Sequence, residues 1–216
     1  QQRIRVSSSY DRRLSNVLGR VSEICQSCSL PKNVIETASI IYRSLDEKNI
    51  KVKGKSVMSI SAAVVYMACK KCDVVRSLDE ILKEVCQPRE IKSKRKLASK
   101  YYRTLVMELG TVTVPTVTMD KYISKIANMT NTDTRVERLS LEIAEKTKDR
   151  NIADGKAPNG IAAAYLYIGS ILLGQNVLQR DVSTVAGVTE VTIRNRCKEI
   201  LTSFKLSISL RPSLAK

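Results

Sequence analysis

The sequence predicts an all-α protein made of two tandem five-helix domains, and three observations predict it. The chain repeats itself: Gly54-Lys55-Ser56 followed by Ile60 to Ala68 returns as Gly155-Lys156-Ala157 followed by Ile161 to Gly169. Ile60/Ile161, Ala62/Ala163, Ala63/Ala164 and Tyr66/Tyr167 all fall at the same shift of 101 residues. A period that long marks a duplicated domain, because solenoid repeats run about 20–50 residues. Apolar residues also recur at three- and four-residue spacing along most of the chain, the signature of amphipathic helices. Finally, 216 residues hold two cores of roughly 100 residues each.

The elements follow in order. Residues 11–28 carry Leu14, Val17, Leu18, Val21, Ile24 and Cys25 on one stripe. Pro31 then stands where a first helical position belongs, and Ile35, Ala38, Ile41, Tyr42 and Leu45 continue the spacing. The Lys51–Lys55 run with Gly54 ends that helix. Residues 56–71 are apolar almost all round, as in a helix buried at the centre of its domain. Ser77-Leu78-Asp79-Glu80 reads as a capping box opening a short helix. A last helix is expected from about Lys94 to Leu109, after a loop at Cys86–Ser93 longer than its counterpart in the second copy. The second copy repeats the order at about 118–129, 133–149, 157–173, 179–186 and 189–204. Between the copies, Gly110 to Thr118 alternates β-branched residues, but it has no partner strand and contains Pro115, so it reads as a linker. The domains are therefore 1–110, a linker at 111–117, 118–206, and a tail at 207–216.

Charge narrows the function. Lys+Arg number 37 against 21 Asp+Glu, a net +16. Residues 1–112 hold 22 basic and 11 acidic side chains, and residues 113–216 hold 15 and 10. A field of this sign points to nucleic acid or an acidic protein surface. No signal peptide opens the chain, and the longest near-apolar stretch, Ile161 to Leu173, falls short of the roughly 20 residues a membrane span needs. A soluble protein is expected. The pairs Cys25/Cys28 and Cys69/Cys72 are separated by 40 residues, against about 15–20 between the pairs of a usual zinc site. They fall on predicted helices and read as packing thiols, with neither metal nor disulfide expected.

The sharpest motif is Arg180-Asp181-Val182-Ser183-Thr184-Val185-Ala186-Gly187-Val188-Thr189-Glu190-Val191-Thr192-Ile193-Arg194-Asn195-Arg196. A short helix, a glycine turn and a second helix capped by Thr189 match helix-turn-helix geometry. Val185, Ala186, Val188 and Ile193 are expected to pack between the helices, leaving Val191, Arg194 and Asn195 outward. A recognition helix reads base edges in the major groove, arginine pairing with guanine and aliphatic groups touching thymine methyls. Thr189 and Arg196 flank that face and are assigned to the DNA backbone. The paired helix starts, Lys53-Gly54-Lys55 and Gly155-Lys156, are a second candidate: free N–H groups and the positive end of a helix dipole favour phosphate, glycine lets it approach, and lysine adds charge. A third is the basic cluster Arg89, Lys92, Lys94, Arg95, Lys96, Lys100 and Arg103, seven cations in 15 residues, suited to phosphates or an acidic protein. Catalysis finds no support: the chain has no histidine, and no paired carboxylates, nucleophile elbow or phosphate loop appears. No enzyme and no cofactor are expected.

Two five-helix copies, each with Gly-Lys before an Ala-Ala-rich buried helix, and the run Gly-Val-Thr-Glu-Val-Thr-Ile-Arg-Asn-Arg together resemble the core of the transcription initiation factor IIB family, its archaeal form most of all. The resemblance covers essentially the whole chain. It implies two cyclin-like helical domains that bind the TATA-binding protein seated on promoter DNA and help recruit RNA polymerase. It assigns Val191 and Arg194 to the element upstream of the TATA box. Gly54, Lys55, Gly155 and Lys156 go to DNA backbone, and Arg95 and Lys96, with the neighbouring Lys92 and Lys100, to the TATA-binding protein. The family's zinc ribbon does not occur within these residues, so the chain reads as a core fragment, a monomer acting where the genome lies: the cytoplasm of an archaeon, the nucleus of a eukaryote. A kinase-activating cyclin adaptor and the related RNA polymerase III factor share the repeat pattern; the former needs neither the charge nor the helix-turn-helix.

Overall fold

A computed structural model of the chain describes residues 9–47, 56–109, 117–148 and 155–203. Among these residues there are ten helices and no strands. The chain divides into two compact units, Gln1–Val117 and Thr118–Lys216. The segment 110–116, the Lys53-Gly54-Lys55 helix start and the 207–216 tail lie outside the described residues.

The first unit is built around its most apolar helix. α1 (Ser9–Ser27), α2 (Lys32–Glu47), α4 (Leu78–Val85) and α5 (Pro88–Glu108) all pack against α3 (Val57–Lys71). α3 can be surrounded because Ser59 to Val65 and Met67 to Cys69 are all buried, and most of these side chains are small. Its buried hydroxyl at Ser61 donates to the carbonyl of Val17 on α1 at 3.4 Å. Ser56 starts α3 by accepting from the Ser59 N–H at 3.3 Å. The capping box is present at α4: the Ser77 hydroxyl accepts from the Glu80 N–H and donates to Glu80 Oε1, both at 3.2 Å.

The second unit repeats the arrangement. α6 (Met119–Met129), α7 (Thr134–Lys146), α9 (Gln179–Ala186) and α10 (Glu190–Ser203) pack around α8 (Pro158–Leu172). α8 buries ten residues from Gly160 to Ser170. The Tyr165 hydroxyl is matched inside this core by Thr147 Oγ1 at 2.6 Å, as a buried phenol requires.

One predicted boundary is corrected. The last helix of the first unit begins at Pro88, not near Lys94, so Cys86–Ser93 is no long loop. Pro88 occupies the first turn, where its missing N–H costs nothing and its fixed φ favours the helix. Cys86 and Gln87 alone separate α4 from α5, whereas Gly187, Val188 and Thr189 separate α9 from α10. The shift between copies therefore rises from 101 to 102 across the turn. Aligned on buried positions, Ala98 matches Ile200 and the half-buried Ile91 matches Ile193.

The cysteines are free. Burial pushes Cys25 up to about 11 and Cys69 to about 12, so both are protonated at neutral pH and behave as core hydrophobes. Among the described residues no group of three or more His, Cys, Asp or Glu side chains is placed to hold a metal ion, and no helix is long and apolar enough to cross a membrane.

Candidate nucleic-acid interface

The helix-turn-helix is assembled from local signals and then anchored by distant ones. α9 ends at Gly187, whose φ of 65° and ψ of 34° is the left-handed conformation that a glycine adopts without strain. The next N–H, from Val188, returns to the Ser183 carbonyl at 3.1 Å, closing the turn. Thr189 starts α10 by accepting the Thr192 N–H at 3.2 Å. Val182, Ala186 and Ile193 are buried where the helices meet, and Val185 and Val188 pack partly buried against them. Val182 adds to the interface expected from the sequence. Thr189→Ala should lower the unfolding free energy by about 1 kcal/mol, the usual worth of such a cap, read as a shifted midpoint in urea.

Three contacts seat this motif on the start of α8. The Asn159 amide donates to the Ala186 carbonyl at 3.2 Å. Gly160 lies so near α10 that a Cβ there would meet the Thr192 methyl at 3.3 Å. Lys156 Nζ donates to Glu199 Oε2 at 2.9 Å. The second donor to that carboxylate is Arg196 Nη1, at 2.6 and 2.7 Å to its two oxygens. The ammonium and the guanidinium hold the Glu199 carboxyl below its ordinary range, so it is ionised at neutral pH. Asn159, Gly160 and Glu199 were not singled out in the sequence. Asn-Gly after a proline is a turn signal, and here it lies within a helix.

What remains outward is one face of α10. Val191 is 56% exposed, and Arg194 and Asn195 are exposed beside it at i+3 and i+4. Arg194 forms no ion pair or side-chain hydrogen bond among the described residues. At the α8 start, Gly155 has a φ of 70° and the N-cap is Ala157, which offers no side-chain oxygen to the first N–H groups. Of those groups, Pro158 brings no N–H and the Gly160 N–H turns back to the Ala157 carbonyl at 3.2 Å, and Lys156 stands beside this positive helix end. At the α3 start, by contrast, the hydroxyl of Ser56 occupies one of the first N–H groups.

The basic cluster on α5 resolves into a stripe and its exceptions. Arg89, Lys92, Lys96, Lys100 and Arg103 are all exposed, and at 3.6 residues per turn they fall within about 80° of the helix circumference. Arg95 leaves that stripe: its Nε meets Asp79 Oδ1 on α4 at 3.2 Å. Lys94 points to the other side and is half-buried. The stripe joins three of the four cations assigned to a protein partner and sets Arg95 apart.

Two stretches of the chain, residues 10–96 and 112–203, match the family model described as Transcription factor TFIIB repeat. The chain belongs to the transcription factor IIB family. Transcription initiation factor IIB of Archaeoglobus fulgidus is 40% identical over 210 residues, covering 97% of this chain and 62% of that protein. That of Methanoculleus marisnigri is 40% identical with 97% and 60% covered, and factor IIB 2 of Thermoplasma acidophilum 41% identical with 96% and 65% covered. This chain thus spans about three-fifths of the length of the first two. A solved yeast RNA Pol II CTD kinase CTDK-1 complex superposes loosely, with a TM-score of 0.39, 16% identity, and 89% of this chain and 65% of that one covered. The factor IIB family accounts for the fold: two cyclin-like all-α repeats, of which the second carries the helix-turn-helix.

Proposed function

We propose that this chain is the promoter-binding core of a transcription initiation factor, with repeats at 1–110 and 118–206 joined by 111–117, that binds the TATA-binding protein on DNA and helps recruit RNA polymerase. The observation that carries the reading is the outward face of α10. Val191, Arg194 and Asn195 stand free on a recognition helix, in a chain whose relatives are named initiation factors. Arg194 and Asn195 have the donors to read purine edges and Val191 the methyls to touch thymine. Phosphate contacts from Gly155, Lys156, Thr189, Arg196 and the Lys53-Gly54-Lys55 start supply affinity without sequence information. The Lys92, Lys96 and Lys100 stripe faces the acidic side of the TATA-binding protein, with Arg95 at its margin. None of these roles is enzymatic.

A gel-shift titration on TATA-box DNA with and without the upstream element, with and without TATA-binding protein and at two salt concentrations, tests this. A supershift needing both partner and element is expected. Binding indifferent to both would leave a basic helical protein and turn attention to a kinase adaptor. Because Asp79 already engages Arg95, Lys96→Glu is the cleaner probe of the stripe. It should weaken the ternary complex several-fold and leave binding to DNA alone within about twofold, since exposed charges act chiefly on the partner they face. Equal losses in both titrations would remove the stripe from the protein interface.

A further inference from the structure

We propose that Glu199 is a specificity-determining residue for DNA binding by the second repeat, a built-in competitor for phosphate that restrains Lys156 and Arg196; this rests on the promoter-binding reading above. Two of the repeat's candidate backbone cations converge on this one carboxylate, at 2.9 Å from Lys156 and 2.6 to 2.7 Å from Arg196. Both side chains are held close in, with 29% and 26% of their surfaces exposed. The base-reading candidate two residues before Arg196 is not restrained in this way, for Arg194 is exposed. Among the candidate DNA contacts at α10 and the α8 start, Arg194 is thus free to read, and Lys156 and Arg196 are tethered.

The tether belongs to the reading repeat. With the last helices aligned on Ala98/Ile200 and Ile91/Ile193, Glu199 falls on Leu97, a half-buried apolar residue packed against the first core. A carboxylate at this place is not required for packing the last helix of a repeat. It joins α10 to the entry of α8 across 43 residues of sequence.

The consequence is electrostatic. Phosphate contacts strengthen binding to every sequence alike and carry no sequence information. A free lysine on its flexible stem would reach phosphates in many registers. Tied to Glu199, the two cations present one net positive charge in one geometry, and a phosphate arriving out of register also meets the carboxylate. DNA in the correct register approaches the sides of Lys156 and Arg196 that Glu199 leaves open. The tether therefore costs affinity mainly on DNA without the element.

The test uses the whole chain in the titration above, with Glu199→Gln and a control, Glu142→Gln. Glu142 is an exposed carboxylate on α7 paired with Lys146 at 2.6 Å, so its loss makes the same change in net charge away from α10. E199Q is expected to tighten binding to element-less DNA roughly threefold to tenfold and to steepen its salt dependence by about one phosphate contact. Its affinity for element-bearing DNA should change less than about twofold, so discrimination falls. E142Q should leave discrimination as it is. A wild type that distinguishes the two DNAs beside an unchanged E199Q overturns this proposal alone. So does an E142Q chain that mimics E199Q, or an E199Q chain whose circular-dichroism melt shows it unfolded, since Glu199 would then be structural. A wild type that does not distinguish the two DNAs overturns this proposal and the promoter-binding reading together.

Discussion

Arg194→Ala should cost about 1–3 kcal/mol of affinity on a promoter bearing the upstream element, the usual worth of a bidentate base contact. On a scrambled element the loss should be much smaller, because the side chain then has no guanine edge to pair with. The geometry favours a clean result. Arg194 is exposed and is not part of the core that holds α10, whose buried anchors are Ile193 and Ile200. The variant should therefore fold with an unchanged midpoint. Equal losses on the two DNAs would demote Arg194 to a phosphate contact. An effect of that kind would also reduce the salt slope by about one charge, so one titration series at two salt concentrations separates the two roles.

Gly169→Ala should damage the fold of the second repeat more than the same change at Gly160, the other glycine of α8. In an ordinary helix interior this change gains about 1 kcal/mol, because alanine is the better helix former. Here a Cβ would lie 2.4 Å from Ser140 Oγ and 3.2 Å from the Val136 carbonyl oxygen on α7. The Ser140 hydroxyl is itself buried and donates to that same carbonyl at 2.7 Å. It must either break that bond and stay unsatisfied, at about 1–3 kcal/mol, or the helices must part, at a similar cost for an overpacked core. A net loss of about 1–3 kcal/mol is expected, read as a lower urea midpoint with an unchanged slope. Adding Ser140→Ala should recover part of it, because the shortest clash disappears while the contact with the Val136 oxygen stays. Strictly additive losses in the double variant would place the strain elsewhere. The first repeat has Ala68 at the matching position, fully buried, so the close approach of α7 and α8 belongs to the second repeat.

Much of the protein was legible in its sequence for identifiable reasons. The 101-residue shift gave the duplication, and the all-round apolar runs gave α3 and α8, because a helix with no polar face has nowhere to go but the centre. Ser77, Gly187 and Thr189 marked helix ends through bonds between residues three to five apart. The error at α5 is also local: Pro88 is readable as a first-turn residue, yet on sequence alone Cys86–Ser93 is assigned to a loop. Other features gave no such signal. The Asn-Gly pair at 159–160 reads as a turn, yet it forms the seat of α10. Arg95 looked like one more member of a basic cluster until α4 brought Asp79 to it. Glu199 looked like any exposed acidic residue on a helix.

By itself the sequence determined what depends on neighbours in the chain: ten amphipathic or buried helices, their caps, the two-fold repetition, the sign of the charge, and which side chains of α10 share a face. Periodicity and capping act over one or two turns, so they are written in the order of residues. Only the tertiary structure decided which cations are free and which are held, and where two helices approach too closely for a methyl group. Lys156 meets Glu199, and Gly169 meets Ser140, across 43 and 29 residues of chain. Contacts of that range are fixed by how helices pack, and no local spacing encodes them.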